Sequence, residues 1–104
     1  MPDQSNATVL EIVHFRLRAG AETAAFLHAA EGTGALLRRC PGFVRRMLTE
    51  DRGHWADLVE WQDRTAALAA AEAVMQAPEF AAFMAMIDPA SVSMEHQGIR
   101  ARMA

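Results

Sequence analysis

Two tryptophans and an aspartate share one face of an apolar stretch near the middle of the chain. They are Trp55, Asp57 and Trp61, and side chains two residues apart point the same way in a β-strand. Burial beside a large apolar ring disfavours the charged form of a carboxylate, which favours Asp57 as a general base acting on a phenol. The alternative is that Trp61 packs in the core and that Asp57 pairs with an arginine at the sheet end or at a subunit contact.

Two histidines on other strand-like stretches are further candidates for ligand binding or proton transfer. His14 falls on the same strand face as Leu10 and Ile12. His96 falls on the same face as Met94. A histidine changes charge near neutral pH, so either residue can bind a ligand or move a proton. The alternative is that each histidine is simply satisfied by hydrogen bonds on a half-buried strand.

An arginine is presented to each face of the strand that precedes the tryptophans. Arg45 and Arg46 are neighbours in sequence, so they point in opposite directions. One of them should lie on a buried face, where it needs an acidic partner. Asp57 or Glu60 on the adjoining strand is the natural candidate, because cross-strand neighbours meet directly.

The sequence contains no pattern that predicts a metal or a cofactor. Its four histidines lack the spacing that presents two ligands on one helix face. It has no glycine-rich phosphate loop, no nucleophile elbow and no cysteine–histidine pair. The single cysteine, Cys40, is interpreted as a small apolar residue at a helix end. We therefore expect no metal and no cofactor.

The periodicity of the sequence predicts four strands. Residues 9–17 are rich in β-branched and aromatic side chains, and residues 91–99 form a last strand. Residues 43–50 and 54–62 alternate around a turn at 51–53 and predict a β-hairpin.

Two helical stretches separate these strands. Residues 21–40 predict a kinked or two-part helix, because Gly32 and Gly34 each weaken a helix by roughly 1 kcal/mol relative to alanine. Residues 64–76 predict the second helix, and Pro78 restarts it as far as residue 87. Its predicted apolar stripe consists of Leu68, Ala71 and Met75.

The element order is therefore β-α-β-β-α-β, which predicts an α+β fold with a four-stranded antiparallel sheet and helices on one face. We expect a flexible N-terminus at residues 1–8, a single domain at 9–99 and a tail at 100–104. The strands are apolar on both sides, since Val13 and Phe15 alternate with Leu10 and Ile12. Two helical stretches cover only one face, so a second copy of the chain should cover the other. A few buried edge positions are the alternative explanation.

Composition narrows the classes of partner. The 104 residues have a formal net charge of -3. A protein that binds nucleic acid needs positive charge to neutralise many phosphates, so we expect no nucleic-acid partner. No apolar run is long enough to cross a membrane, and the start lacks the features of a signal peptide. One cysteine fits a reducing compartment, so we expect a cytoplasmic protein without a membrane partner.

The stretch from Cys40 to Phe80 resembles the antibiotic-biosynthesis-monooxygenase-like domain of the dimeric α+β barrel superfamily. The Pro-Gly turn, the hairpin with its Glu-Trp ending, the alanine-rich helix and the Ala-Pro-Glu-Phe restart carry this resemblance. It implies a ferredoxin-like fold, a homodimer with sheets packed face to face, and a pocket between the sheet and the helices of each subunit. In oxygenating relatives a tryptophan at the place of Trp61 lines the pocket, with an amide residue where this chain has Asp57. A related branch has a pocket histidine on the first strand, which favours His14.

This sequence also departs from the family's pattern. Oxygenating members use a tyrosine on the second helix, where Ala67 stands here, and the chain contains no tyrosine. The haem-degrading branch needs a histidine on that helix, and residues 64–87 contain none. The resemblance to that branch therefore does not extend to haem binding.

Two hypotheses about function follow. The first is a cofactor-independent monooxygenase-like or isomerase-like enzyme for a small hydrophobic aromatic or carbonyl compound, with Asp57 and His14 catalytic and with Trp61, Trp55 and His96 binding the substrate. The second is a non-catalytic small-molecule-binding or stress-associated dimer. Methionines that line an adaptable pocket would suit either one, although methionine more often fills gaps in a core: Met47, Met75, Met84, Met86 and Met94.

Overall fold

The predicted element order and sheet are confirmed by a computed structural model, which describes residues 8–103. The predicted flexible N-terminus thus lies, except for its last residue, outside the described residues. The four strands are β1 (Val9–Phe15), β2 (Phe43–Asp51), β3 (His54–Trp61) and β4 (Ser93–Gly98). The helices are α1 (Thr23–Arg38), α2 (Arg64–Val74) and α3 (Pro78–Met84), and a short 3-10 turn, Pro89–Ser91, precedes β4.

The sheet is antiparallel with the strand order β2-β3-β1-β4. The β2–β3 hairpin closes through Arg52 and Gly53, which have φ values of 52° and 81°. Two consecutive positive φ angles are typical of the tight turn whose twist matches that of its flanking strands. In the centre of the sheet, Glu11 and Val13 of β1 pair with Val59 and Asp57 of β3, respectively.

Helix α1 is continuous, so the two-part form of the prediction is wrong. Its buried residues recur at helical spacing along its whole length: Phe26, Ala30, Thr33 and Leu37. Burial of this continuous face outweighs the roughly 1 kcal/mol that each internal glycine costs. Gly32 also lies where α3 comes close, since a Cβ atom there would be 3.9 Å from the Cβ of Glu79.

The buried face of α2 is one residue away from the predicted stripe. The buried residues are Ala67, Ala70 and Val74, whereas Leu68 and Met75 of the predicted stripe are 54% and 70% exposed. The two alanines and the valine pack against Trp61 in one core cluster. Small side chains let the helix approach the sheet over the large indole ring, so volume rather than hydrophobicity alone selects this face.

Both core clusters lie between the sheet and the helices. The first is largely aromatic and contains Phe15, Phe26, Ala30, Trp55, Phe83 and Ile87. The second contains Leu37, Val59, Trp61, Ala67, Ala70 and Val74. Because the buried strand residues alternate along β1 and β3, the helices cover a single face of the sheet.

The other face of the sheet is uncovered in the single chain. It carries Leu10, Ile12 and Leu58, which are half-buried, and Met47, which is 60% exposed. Part of the C-terminal segment also lies at this face, because Arg102 pairs with the buried Glu60. The predicted tail is therefore anchored at this position. None of the helices in residues 8–103 is long and apolar enough to cross a membrane.

Candidate functional site

A cavity of about 190 Å³ lies between the sheet and helices α2 and α3. Valines, alanines and phenylalanines make up half of the residues that line it, and Trp61 lines it as well. The wall contains three charged side chains, Glu11, Arg46 and Asp57. The chemistry of the cavity depends on how these three groups are already engaged.

Asp57 forms a bidentate ion pair with Arg46. Arg46 Nε donates to Asp57 Oδ1 at 2.9 Å, and Arg46 Nη2 donates to Asp57 Oδ2 at 2.7 Å. The two side chains are 11% and 12% exposed. Parallel charge-assisted hydrogen bonds of this kind are among the strongest in proteins. The expectation that one of the two neighbouring arginines is buried against an acid is confirmed, with Arg46 on the helix side.

Arg46 also ties helix α1 to the sheet. Its Nη1 donates to Thr33 Oγ1 at 2.8 Å and to the carbonyl oxygen of Ala30 at 3.3 Å. The guanidinium lies over the Phe83 ring, 5.4 Å from its centre. These contacts match the structural alternative for Asp57, since both carboxylate oxygens are occupied by a cation that is itself fixed. The predicted general-base role of Asp57 stays a prediction that must overcome this ion pair.

Glu11 is a functional candidate that the sequence motifs do not single out. It lies in the middle of β1, is 9% exposed and faces the cavity. Trp61 Nε1 donates to Glu11 Oε1 at 2.9 Å. His96 Nε2 lies 3.9 Å from Glu11 Oε2, which is too far for a hydrogen bond. A charged residue between Val9 and Val13 on an otherwise apolar strand face was the available signal.

The structure brings together some of the predicted site residues and separates others. Asp57 and Trp61 line the same cavity. His96 does not line it, but its Nε2 lies 3.9 Å from Oε2 of Glu11, which does. Trp55 lies outside the cavity wall, in the aromatic cluster, where it stacks on Phe15 with ring centres 6.2 Å apart.

His14 faces away from the cavity. It lies on the uncovered face of the sheet, where its Nδ1 is 3.0 Å from His54 Nε2. Because successive residues of a strand point to opposite faces, His14 cannot contact a compound held in the cavity of its own chain. In a single chain, His14 and Asp57 therefore lie on opposite faces of the sheet and cannot both contact one substrate, contrary to the prediction.

Three of the five methionines named above line the cavity: Met75, Met84 and Met94. They are 70%, 37% and 54% exposed, so they lie where the cavity meets solvent. Flexible thioether side chains at an opening can adapt to ligands of different shape. Within residues 8–103, no group of three or more histidine, cysteine, aspartate or glutamate side chains is arranged to hold a metal ion.

Several solved structures, two of them oxygenases by name, share this architecture. A single-residue variant of SnoaB, a cofactor-independent oxygenase from Streptomyces nogalater, superposes with a TM-score of 0.70 at 25% identity, over 94% of this chain and 96% of that one. A monooxygenase from the gene ActVA-Orf6 of Streptomyces coelicolor, solved with nanaomycin D, gives a TM-score of 0.69 at 14% identity, over 95% and 93% of the two chains.

The same fold occurs in Rv0793 from Mycobacterium tuberculosis, with a TM-score of 0.70 at 15% identity over 94% of this chain and all of that one. No protein-family model and no curated protein matches the sequence. The resemblance that the hairpin and the helix restart carry is confirmed by these superpositions, which cover nearly the whole chain.

Proposed function

We propose that this chain, an antibiotic-biosynthesis-monooxygenase-like protein by fold, binds a small, flat, apolar aromatic or carbonyl compound beside Trp61 and oxygenates or isomerises it without a cofactor. One observation carries the proposal. The cavity between the sheet and the helices is apolar, except for charged groups that are held at fixed positions on its wall. Apolar cavities with a few placed polar groups are the usual form of small-molecule sites.

The size of the cavity limits the ligand. Its volume of about 190 Å³ is below the roughly 300–1,000 Å³ of sites for drug-sized molecules. A closed apolar cavity of about 150 Å³ is enough for benzene. We therefore expect compounds of one or two rings, with larger ones extending between the methionines at the opening.

Different residues around the cavity would contribute to binding the compound and to orienting it. Trp61 lines the cavity, and its 1% exposure means that its ring is held in place by packing and presents only a small surface to a ligand. Trp55 supports the wall from behind by packing on Phe15, which lines the cavity. In oxygenation without a cofactor, the electrons that reduce O₂ come from the bound compound itself. The role of the protein is then to orient that compound and to assist its loss of a proton.

Binding without turnover is the second candidate. Two observations favour it: Asp57 is engaged by Arg46 through both oxygens, and the sequence contains no tyrosine to act as a further acid or base. In this case the cavity would hold an apolar compound and leave it unchanged.

Oxygen uptake tests the two candidates together. Purified protein is mixed with hydroxylated naphthalenes, and O₂ consumption, product mass and ligand binding are measured. Ala71→Trp should block the cavity, because Ala71 lines it. Ala73→Trp is the matched control, since Ala73 is exposed on the same helix. Uptake that only Ala71→Trp abolishes supports the enzyme. Binding that only Ala71→Trp abolishes, with neither uptake nor conversion to an isomer on chromatography, supports the second candidate, and absence of binding contradicts both.

A further inference from the structure

Glu11 has one carboxylate oxygen that is engaged and one that is free. Oε1 accepts the hydrogen bond from Trp61 Nε1 at 2.9 Å. Oε2 accepts no hydrogen bond from any residue in the described part of the chain, and His96 Nε2 lies 3.9 Å from it, beyond hydrogen-bond distance. The other carboxylate of the cavity, Asp57, has both oxygens bound by Arg46. Glu11 Oε2 is thus the available carboxylate acceptor on the cavity wall.

We propose that Glu11 determines the specificity of the cavity by selecting neutral compounds that carry a hydroxyl donor, such as a phenol or an enol, over hydrocarbons and over carboxylate anions. This inference rests on the proposed function, because it assumes that the cavity is the ligand site. The ligand's O–H donates to Glu11 Oε2 while its rings lie against Trp61 and the apolar walls.

The selectivity follows from the donor and acceptor capacity of the groups present. An ionised carboxylate only accepts hydrogen bonds. A hydrocarbon that fills the cavity displaces water from Oε2 without replacing its hydrogen bonds, whereas a hydroxyl supplies a donor at that point. A ligand carboxylate would bring a second negative charge to Glu11 in a site of low dielectric constant, which is unfavourable.

The positive charge on the wall does not offset this preference. Arg46 lines the cavity, but its Nε and Nη2 bind Asp57 and its Nη1 binds Thr33 and Ala30. Its charge is therefore already matched by a carboxylate in a bidentate pair. Trp61 fixes Glu11 Oε1, which restricts the positions that Oε2 can take.

Three probes of similar shape test the proposal: naphthalene, 1-naphthol and 1-naphthoate, with binding measured by equilibrium dialysis. We expect the protein to bind 1-naphthol about tenfold or more tightly than naphthalene, and 1-naphthoate more weakly than either. Glu11→Gln keeps an oxygen for the Trp61 N–H and presents an amide N–H to the cavity. This variant should lose most of the preference for 1-naphthol and bind 1-naphthoate about tenfold more tightly than the unaltered protein does.

Naphthalene should bind the Glu11→Gln variant at least as tightly as it binds the unaltered protein, because a neutral amide costs less to desolvate than a carboxylate does. Glu95→Gln is the matched control variant, because Glu95 is exposed on the opposite face of β4, and it should leave all three affinities unchanged. If Glu11→Gln does not fold, the unaltered protein still tests the proposal, because equal binding of naphthalene and 1-naphthol would overturn it.

The outcomes separate this inference from the proposed function. Equal binding of naphthalene and 1-naphthol, or preferred binding of 1-naphthoate, would overturn the role of Glu11 and leave the cavity as a ligand site. Failure of all three probes to bind would overturn the site and the inference together. A selectivity that Glu11→Gln leaves intact would assign the preference to another residue and so contradict the proposal.

Discussion

Replacement of Asp57 by asparagine distinguishes a structural ion pair from a catalytic base. The substitution keeps the shape of the side chain and removes its charge, so Arg46 loses its anionic partner. Arg46 would keep its contacts to Thr33 and Ala30, and the asparagine oxygen would accept one hydrogen bond in place of two. A positive charge with side-chain exposure of only 11% would then lack a counter-charge.

The expected loss of stability is large for a single conservative change. Removal of one partner of a buried ion pair costs roughly 3–5 kcal/mol. The hydrogen bond that asparagine retains lowers this to about 2–3 kcal/mol. For a domain of this size, such a loss shifts the melting temperature by roughly 10–20 °C.

Urea unfolding of the purified variants measures this effect. Asp51→Asn is the control, since Asp51 is exposed in the same hairpin, and its free energy of unfolding should change by less than about 0.5 kcal/mol. Unfolding of Asp57→Asn within about 0.5 kcal/mol of the parent, together with selective loss of turnover and retained ligand binding, would refute the structural interpretation. That result would restore Asp57 as the general base.

Three further changes test the fold, the cavity wall and the uncovered face. Trp61→Ala should cost roughly 3–5 kcal/mol of unfolding free energy, because the ring is buried, and should reduce the quenching of fluorescence by aromatic ligands to the part that comes from Trp55; quenching of undiminished amplitude would place the ligand elsewhere. Gly42→Ala should destabilise more than Gly20→Ala in thermal melts, since both positions have φ of +86° but only at Gly42 would the new Cβ meet Ala66, at 2.5 Å. Sedimentation equilibrium at micromolar concentration should show a dimer that Leu58→Asp dissociates; a monomeric parent protein would contradict packing through this sheet face.

The faces of the strands could be predicted from the sequence because a strand has a period of two residues. Arg45 and Arg46 were placed on opposite faces, and one acid was expected for the buried arginine. Both expectations agree with the ion pairs that Arg45 makes with Glu60 and Arg46 with Asp57. The choice between the two arginines was not predictable, because it depends on which face the helices cover.

Helix faces and the cavity were less predictable. The predicted stripe of α2 ranked residues by hydrophobicity, whereas the available space against Trp61 selects alanines. Glu11 was overlooked because a single acid in an apolar strand has no sequence partner. Its hydrogen bond joins it to Trp61, fifty residues away. His14 was placed correctly on the face of Leu10 and Ile12, but only the fold shows that this face is remote from the cavity.

A crystal structure with 4-bromo-1-naphthol tests the central claim most directly, because anomalous scattering from bromine locates the compound without assumptions about its pose. We predict a bromine peak in the cavity between the sheet and helices α2 and α3. The rings should lie against Trp61, and the hydroxyl should lie within hydrogen-bond distance of Glu11 Oε2. A bromine peak on the uncovered sheet face with none in the cavity, or no ordered compound at saturating concentration, would contradict the account.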